Sequence, residues 1–347
     1  MGVTRPRRLG FFTRLLDQAT AGERYRLAAE QIVHAEAHGF DSAWVAQHHF
    51  DGDEGGLPAP FVFLAHVAAR TSRIRLGTGI VTLPLEEPVR VAEDAAVFDL
   101  ISNGRLELGL GSGGTPSAFA GFGRDSADRA AIFDRNATIV RDALAGKALG
   151  GGNLLYPAAP RLIDRIWQAT FSAAGGKRAG EAGDGLMLSR AQPRPKDAPN
   201  ASLADLQHPI IDAYLAALPG EREPRIMASR TLFVADDRKD ALRLADIGLR
   251  RVVNHFVEIG FVAPGRSLAE LIAALDVHVG TPENVIESLR ADSTLDRVTD
   301  IVFQVHSVDP PHPLILRSIE LIAKTVAPAL GWEAPKAAKG IRVALAT

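Results

Sequence analysis

Asp41-Ser-Ala-Trp-Val-Ala-Gln-His-His-Phe50 is the stretch whose reading decides the fold. A run with the pattern of a buried strand passes without a break into Gln47, His48 and His49, so polar chemistry stands at a strand's end. Successive side chains of an extended chain point to opposite faces. Val45, Gln47 and His49 therefore share one face, and Ala46 and His48 the other. In parallel α/β folds, sites are assembled at the carboxyl ends of strands, because the loops there vary over a fixed scaffold. His48 or His49 is the expected chemical centre, against the plainer reading of a hydrogen-bonded packing histidine. Adjacent histidines on a strand diverge and the chain has no cysteine to join them, so no metal site is expected.

Outward from this strand one unit repeats. Leu9 to Phe12 reads as a strand, and Tyr25, Ala28, Ala29, Ile32 and Val33 recur at helical spacing until Gly39. Pro60 to Ala69 is a helix and Ile74 to Val81 a strand. Pro88 opens a helix striped by Val89, Ala92, Ala96 and Leu100 and closed by Asn103-Gly104. Arg105 to Gly109 is the fourth strand, with a helix from Asp128 to Leu144. Ile166 to Thr170, Leu186 to Leu188, Arg225 to Val234 and Asp300 to Val305 supply four more strands, with helices at Gly175 to Ala182, Leu203 to Leu218 and from Pro313. The segment between Val234 and about Pro282 reads as mostly helix. This alternation, without a break in composition, predicts a single closed α/β (β/α)8 TIM barrel with loop insertions over residues 1–335 and a loose tail at 336–347. The excursions at 146–160, 190–202 and 255–280 are candidate lids.

Composition narrows the partners. Of 347 residues 46% are hydrophobic and 23% charged, enough for a packed core, and the formal net charge is −2. No basic field is present for nucleic acid and no polybasic patch for a membrane, which leaves a small molecule. The absence of cysteine removes disulfides, thiolate ligands and cysteine nucleophiles, and fits a reducing cytoplasm. The apolar run Leu9 to Leu16 is broken by Arg14, so no signal peptide is expected, and no stretch reaches the roughly 18 apolar residues of a membrane span.

Three loops carry further candidates, each against the plainer reading of a turn, a connection or a packed strand. Gly109-Leu-Gly111-Ser-Gly113-Gly114 has the G-x-G-x-x-G spacing of dinucleotide binding. It follows the fourth strand and runs into Thr115-Pro116 instead of a helix, so it reads as a barrel loop whose backbone amides, with Ser112, approach a phosphate or ring edge. Phe171-Ser172-Ala-Ala-Gly175-Gly-Lys177 follows strand five and opens a helix. Free amides and the positive end of the helix dipole face outward together there, which makes a phosphate cradle with Ser172 as hydroxyl donor. Arg129, opening the preceding helix, could reach the same anion. Gly77-Thr78-Gly79-Ile80 lies where strand three meets its loop, and glycine inside a strand marks a bulge or a close backbone approach to a ligand.

Taken in order, Gly39-Phe40-Asp41, Trp44, Gln47-His48-His49-Phe50, Arg75-Leu76-Gly77-Thr78-Gly79, Pro88-Val89-Arg90, Ala92-Glu93-Asp94, Asp99, Ser102-Asn103-Gly104-Arg105 and Gly109 closely resemble the bacterial luciferase-like flavin monooxygenases. Gly280-Thr281-Pro282-Glu283 and Leu316-Arg317-Ser318-Ile319-Glu320-Leu321 resemble them too. The resemblance implies a TIM barrel that binds reduced FMN at the carboxyl face and, with oxygen, oxidises a small organic substrate through a flavin hydroperoxide. A separate flavin reductase usually supplies the reduced coenzyme. A homodimer is implied as well, and the helix Phe61 to Ala69 offers an interface. By motif, His48 takes the place of the family's catalytic histidine. Gly79 and Ile80, with Thr78 before them, take that of a non-prolyl cis peptide against the flavin ring. Phe171, Ser172 and the amides near Gly175 match the phosphate-binding turn, and Arg129 the phosphate arginine.

There are departures. Luciferase itself has a cysteine and then an arginine where this chain has Gly111 and Ser112, and a glutamate where it has Gln47. Light emission is therefore not implied, and the phosphate contacts fall to Ser112, Lys177 or Arg230. The competing readings are a deazaflavin-dependent oxidoreductase of the same superfamily, a non-catalytic flavin-binding barrel and a metal-dependent barrel hydrolase. The substrate depends on side chains near Phe12, Arg190 and His306.

Overall fold

The structure, a computed structural model, describes residues 7–198, 200–258 and 267–332. Strands alternate with helices: β1 (Arg8–Thr13) and α1 (Ala21–Ala37), β2 (Ser42–Val45) and α2 (Pro60–Ala68), then β3 (Arg75–Thr78), a two-residue β4 (Val81–Thr82) and α3 (Pro88–Ile101). β5 (Leu106–Gly111) is followed by α4 (Pro116–Gly121) and α5 (Arg129–Leu144), β6 (Ile166–Ala169) by α6 (Ala173–Glu181), and β7 (Gly185–Leu188) by α7 (Leu203–Ala217). The last part holds β8 (Ile226–Val234), α8 (Arg238–Glu258), α9 (Leu268–Ala274), β9 (Val277–Gly280), α10 (Pro282–Arg290), β10 (Asp300–Gln304) and α11 (His312–Leu321).

Every strand pairing is parallel. The order runs β10-β1-β2-β3-β5-β6-β7-β8, and β10 pairs again with β8, so eight strands close on themselves as the expected (β/α)8 barrel. The punctuation read from the sequence holds: Gly39 ends α1 at φ 88°, and Asn103 and Gly104 end α3 at φ 57° and 77°.

Inside the ring, Trp44, Trp167, Met187, Met227 and Val302 pack together with Phe12 and Ile80. The two indoles meet edge to face at 5.8 Å, and a glycine on the next strand makes room for each. A Cβ at Gly77 would lie 2.2 Å from the Trp44 ring, and one at Gly185 2.2 Å from that of Trp167. A charged layer at the strand starts lies beneath. Glu107 binds Arg75 and accepts from Trp167 Nε1 at 2.7 Å, Arg8 pairs with Asp300 at 2.8 Å, and the Arg225 guanidinium stands 4.9 Å from the Trp167 ring. The amino end of the barrel is thereby filled.

Four expectations change. Strand three is not continuous: it stops at Thr78, passes through a cis Gly79–Ile80 peptide and resumes as β4, which pairs with Leu110 and Gly111 of β5. β5 in turn runs on to Gly111 and absorbs the first glycines of the supposed loop. The stretch before Pro282 conceals β9, which pairs with Thr231–Val234, while Met227–Thr231 of the same strand pair with β10. The excursion at 146–160 is only partly exposed, because Leu155 and Ala159 are buried against the core. The tail at 336–347 and part of the 255–280 excursion lie outside the described residues. Among those residues no helix is long and apolar enough to cross a membrane.

Candidate active site

The carboxyl ends of the strands form one rim. β2 and β3 stay side by side to the end, the Val45 carbonyl accepting from Gly79 N at 2.8 Å. Gln47 is a buried strut: it donates to Glu86 Oε1 at 2.7 Å and to Pro58 O at 3.2 Å, and accepts from Thr82 N at 2.7 Å. Beyond it the two histidines part. His49 packs edge-on against Phe122 at 4.9 Å, whereas His48 turns its Nδ1 to Glu54 Oε1 at 3.4 Å.

His48 is held from several directions. Glu54 Oε1 also accepts from Thr115 Oγ1 at 2.6 Å, and the Glu54 carbonyl accepts from Arg14 Nε at 3.0 Å. Gly55 lies against the imidazole, so that a Cβ there would be 2.3 Å from His48 Cδ2. Burial, and then the Arg14 guanidinium, hold the His48 pKa below its ordinary value despite the facing carboxylate. The ring is neutral near pH 7. The hydrogen bond from His48, with Thr115 and Arg14 adding to it, holds the Glu54 carboxyl at about 2. A carboxylate facing Nδ1 favours the tautomer protonated there and leaves Nε2 as the basic atom.

The other expected residues divide. Thr78 is buried and its hydroxyl is committed, donating to Gly109 O at 2.8 Å and accepting from Gly109 N at 2.9 Å. Gly79 lies under Phe12, where a Cβ would come within 2.5 Å of the ring, and Ile80 packs over Gly111. Leu110 pairs with Gln168, and continuing that register sets Ser112 level with Thr170. Ser172 caps α6, its Oγ accepting from Gly175 N at 3.2 Å, and Phe171 beside it is exposed. Arg129 is exposed and bonded to Ser126 O at 2.9 Å. One expected donor is withdrawn: Arg230 is fully buried against Asp292 at 2.6 Å and Gln207 at 2.9 Å. Lys177 is exposed on α6, 3.6 Å from Glu181.

Glu54, Arg14 and Thr115 were not anticipated. Glu54 sits among Asp51, Asp53 and glycines, and nothing local singles it out. A small cleft, open to solvent, runs from Phe12 and Arg14 to Gln304, His306 and Asp309. His306 Nδ1 faces Asp309 Oδ2 at 2.8 Å, and burial pushes its pKa down to about 4. Away from the rim, His34 of α1, His38 just after it and Glu320 of α11 bring possible metal ligands within 4.8 Å of one another, but Glu320 already binds Arg317 at 2.8 Å.

Residues 9–295 match the luciferase-like monooxygenases. The chain belongs to that family. Limonene 1,2-monooxygenase of Rhodococcus erythropolis is 30% identical over 315 residues, 86% of this chain and 80% of that protein. Monooxygenase RslO1 of Streptomyces bottropensis superposes with a TM-score of 0.77 at 26% identity, covering 92% of this chain and 99% of that one. The oxygenating constituent of 3,6-diketocamphane monooxygenase from Pseudomonas putida, solved with FMN, shares the fold at a TM-score of 0.75 and 19% identity, over 96% of this chain and 100% of that one. Shorter matches reach an F420-dependent glucose-6-phosphate dehydrogenase of Amycolatopsis mediterranei, 31% identical over 187 residues, and the oxygenase component of a flavin-dependent trigonelline monooxygenase of Acinetobacter baylyi, 37% over 100. The chain spans about half, 49%, of one uncharacterised relative from Sinorhizobium fredii that is 35% identical. In this luciferase-like monooxygenase the strand ends carry a neutral histidine facing a carboxylate, and α6 opens with Ser172 as its cap.

Proposed function

We propose that the protein is the oxygenase of a two-component system, taking reduced FMN from a separate reductase and using O2 to oxidise a small organic substrate at the barrel mouth. The observation that carries this is His48, neutral and oriented by Glu54, beside the strand end where Gly79 and Ile80 lie. The residues fit a flavin. The floor of the mouth is apolar, with Phe12, Ile80 and Ala169, and α6 opens beyond β6 with Ser172 and its first-turn amides, two residues past the level of Ser112. Phe171, Gly175 and Arg129 complete the set assigned to the coenzyme. Bound reduced FMN would supply the activation of oxygen and its transfer to the substrate. His48 accepts or returns a proton at Nε2, and Glu54 keeps that atom unprotonated beforehand. The apolar floor excludes water from the reacting atoms.

The reading extends to assembly. α2 and α3 present Val62, Val97, Leu100 and Ile101 to solvent, an apolar face suited to a second copy. The experiment is titration of the purified protein with FMN, followed by oxygen uptake with a flavin reductase, NADH and a panel of neutral and acidic organic substrates. Saturable FMN binding with substrate-dependent oxygen consumption supports the proposal. Binding of the deazaflavin coenzyme F420 with oxygen-independent hydride transfer would replace it with the other chemistry seen among the relatives.

A further inference from the structure

Positive charge stands at the mouth without a direct ion pair. Arg190, two residues beyond β7, is 5% exposed. Its Nη1 donates to Thr231 Oγ1 at 3.0 Å, and that hydroxyl donates onward to the His306 carbonyl at 2.8 Å. Arg14, immediately after β1, binds a neutral acceptor, the Glu54 carbonyl. Among the described residues neither arginine has a carboxylate within ion-pair distance. The acids nearby are already engaged. Asp309 is bonded by His306 at 2.8 Å and Arg251 at 2.9 Å, Asp276 by Arg194 at 2.8 Å, and Glu54 by Thr115 at 2.6 Å.

The other buried arginines among the described residues are satisfied. Arg230 has Asp292, while Arg105, also without an acid, donates to four acceptors: Ser102 O, Thr71 Oγ1, Ile74 O and Ala68 O. A guanidinium carries five N–H donors in a rigid fork matched to a carboxylate, and Arg190 uses one of them on Thr231. Burial, and then Arg14, bring the Arg190 pKa down to about 9, so its charge is costly, and Asp309, Asp276 and the Phe256 ring, 5.7 Å from the guanidinium carbon, offset only part of that cost. His306 is neutral at pH 7 and adds no charge.

We infer that the organic substrate is an anion, a small carboxylate or sulfonate, whose acid group lies between Arg190 and Arg14 while its apolar part rests against Phe12. This rests on the mouth being the active site. The same chemistry would serve a coenzyme phosphate, but the helix terminus and Ser112 stand at the ends of β6 and β5, whereas Arg14 leaves β1 beside β10.

The test measures binding without turnover. Hexanoate, hexanesulfonate and the neutral hexanamide are titrated by calorimetry into the protein with and without FMN, using the parent chain, Arg190→Met, Arg190→Lys and Arg14→Met. Both acids should bind more tightly than the amide. Arg190→Met should weaken the acids by roughly 30-fold or more, Arg190→Lys should weaken them less, and FMN affinity should not change. If Arg190→Met fails to fold, the lysine and Arg14 variants give the same reading. Equal affinity for acid and amide, or acid binding indifferent to both arginines, overturns the inference. So does a loss of FMN affinity in Arg190→Met with acid binding intact, since the arginine would then serve the coenzyme. Arginine-dependent acid binding by a protein that takes no FMN would leave this inference standing and remove the flavin reading.

Discussion

Replacing Gly55 with alanine adds one methyl group against the imidazole of His48. The new Cβ would lie 2.3 Å from His48 Cδ2, 2.7 Å from Cγ and 2.9 Å from Cβ, where carbon atoms in good contact stand about 3.5–4.0 Å apart. The ring must therefore withdraw by about 1 Å, because the loop opposite it is pinned. Gly55 N donates to Asp51 O at 3.2 Å, Gly56 N to Arg14 O at 3.0 Å, and Thr115 holds Glu54 at 2.6 Å. A ring so displaced loses Glu54, now 3.4 Å away, and a misplacement of about 1 Å is enough to cost on the order of 10²-fold in rate. The expected result is kcat reduced by about 10²-fold with FMN affinity unchanged and stability lowered by about 1–3 kcal/mol, the usual penalty for overpacking. Gly52→Ala is the control, since its Cβ would meet Arg24 Nη1 at an ordinary 3.6 Å. Reductase-coupled turnover, flavin fluorescence quenching and thermal unfolding read the three quantities. Full activity in Gly55→Ala, or equal damage in Gly52→Ala, would refute the assignment of His48 as an oriented base.

Three further outcomes follow from the same geometry. Turnover should decline as the pH falls through the His48 pKa, which lies below the ordinary 6.5, and a pH–rate profile of His48→Gln should lack that limb. His278 and His306 are held near 4 by burial, so between pH 6.5 and 4 the unfolded chain takes up protons that the folded chain does not. Stability is accordingly complete above pH 6.5 and falls with acid at up to about 1.4 kcal/mol per unit per histidine; urea unfolding at pH 7 and 5 checks this, with His278→Asn showing a shallower dependence. Arg230→Met should lower stability by about 3–5 kcal/mol by stranding Asp292, and adding Asp292→Asn should recover part of the loss; denaturant midpoints that do not move would contradict the buried pair.

The barrel was legible because each unit carried its own signals: an apolar strand, a proline or cap that opened the helix, a glycine or asparagine that ended it. β9 was not, because Val277-His278-Val279-Gly280 is four residues long and flanked by helical patterns, and only the extension of β8 beyond β10 gives it a partner. Alternation narrowed the centre to His48 or His49 but could not separate them past the strand's end, where Phe122, 73 residues on, takes one and Glu54 the other. Arg230 misled for a related reason. β8 is buried along its whole length, so a charged side chain there has no solvent face, and its partner Asp292 is remote in sequence. The arginine pair at the mouth joins positions 14 and 190, and no local pattern announces a charge whose partner has to come from outside the chain.

The indoles and the ionic layer beneath them have a kinetic consequence. A barrel plugged below is a well and not a tunnel, so everything that visits it uses one door. Two ligands of unequal depth must then queue: the deeper arrives first and departs last, and a spent coenzyme cannot be pushed out from behind by its successor. Order of addition, more than affinity, would set the pace of such a cycle.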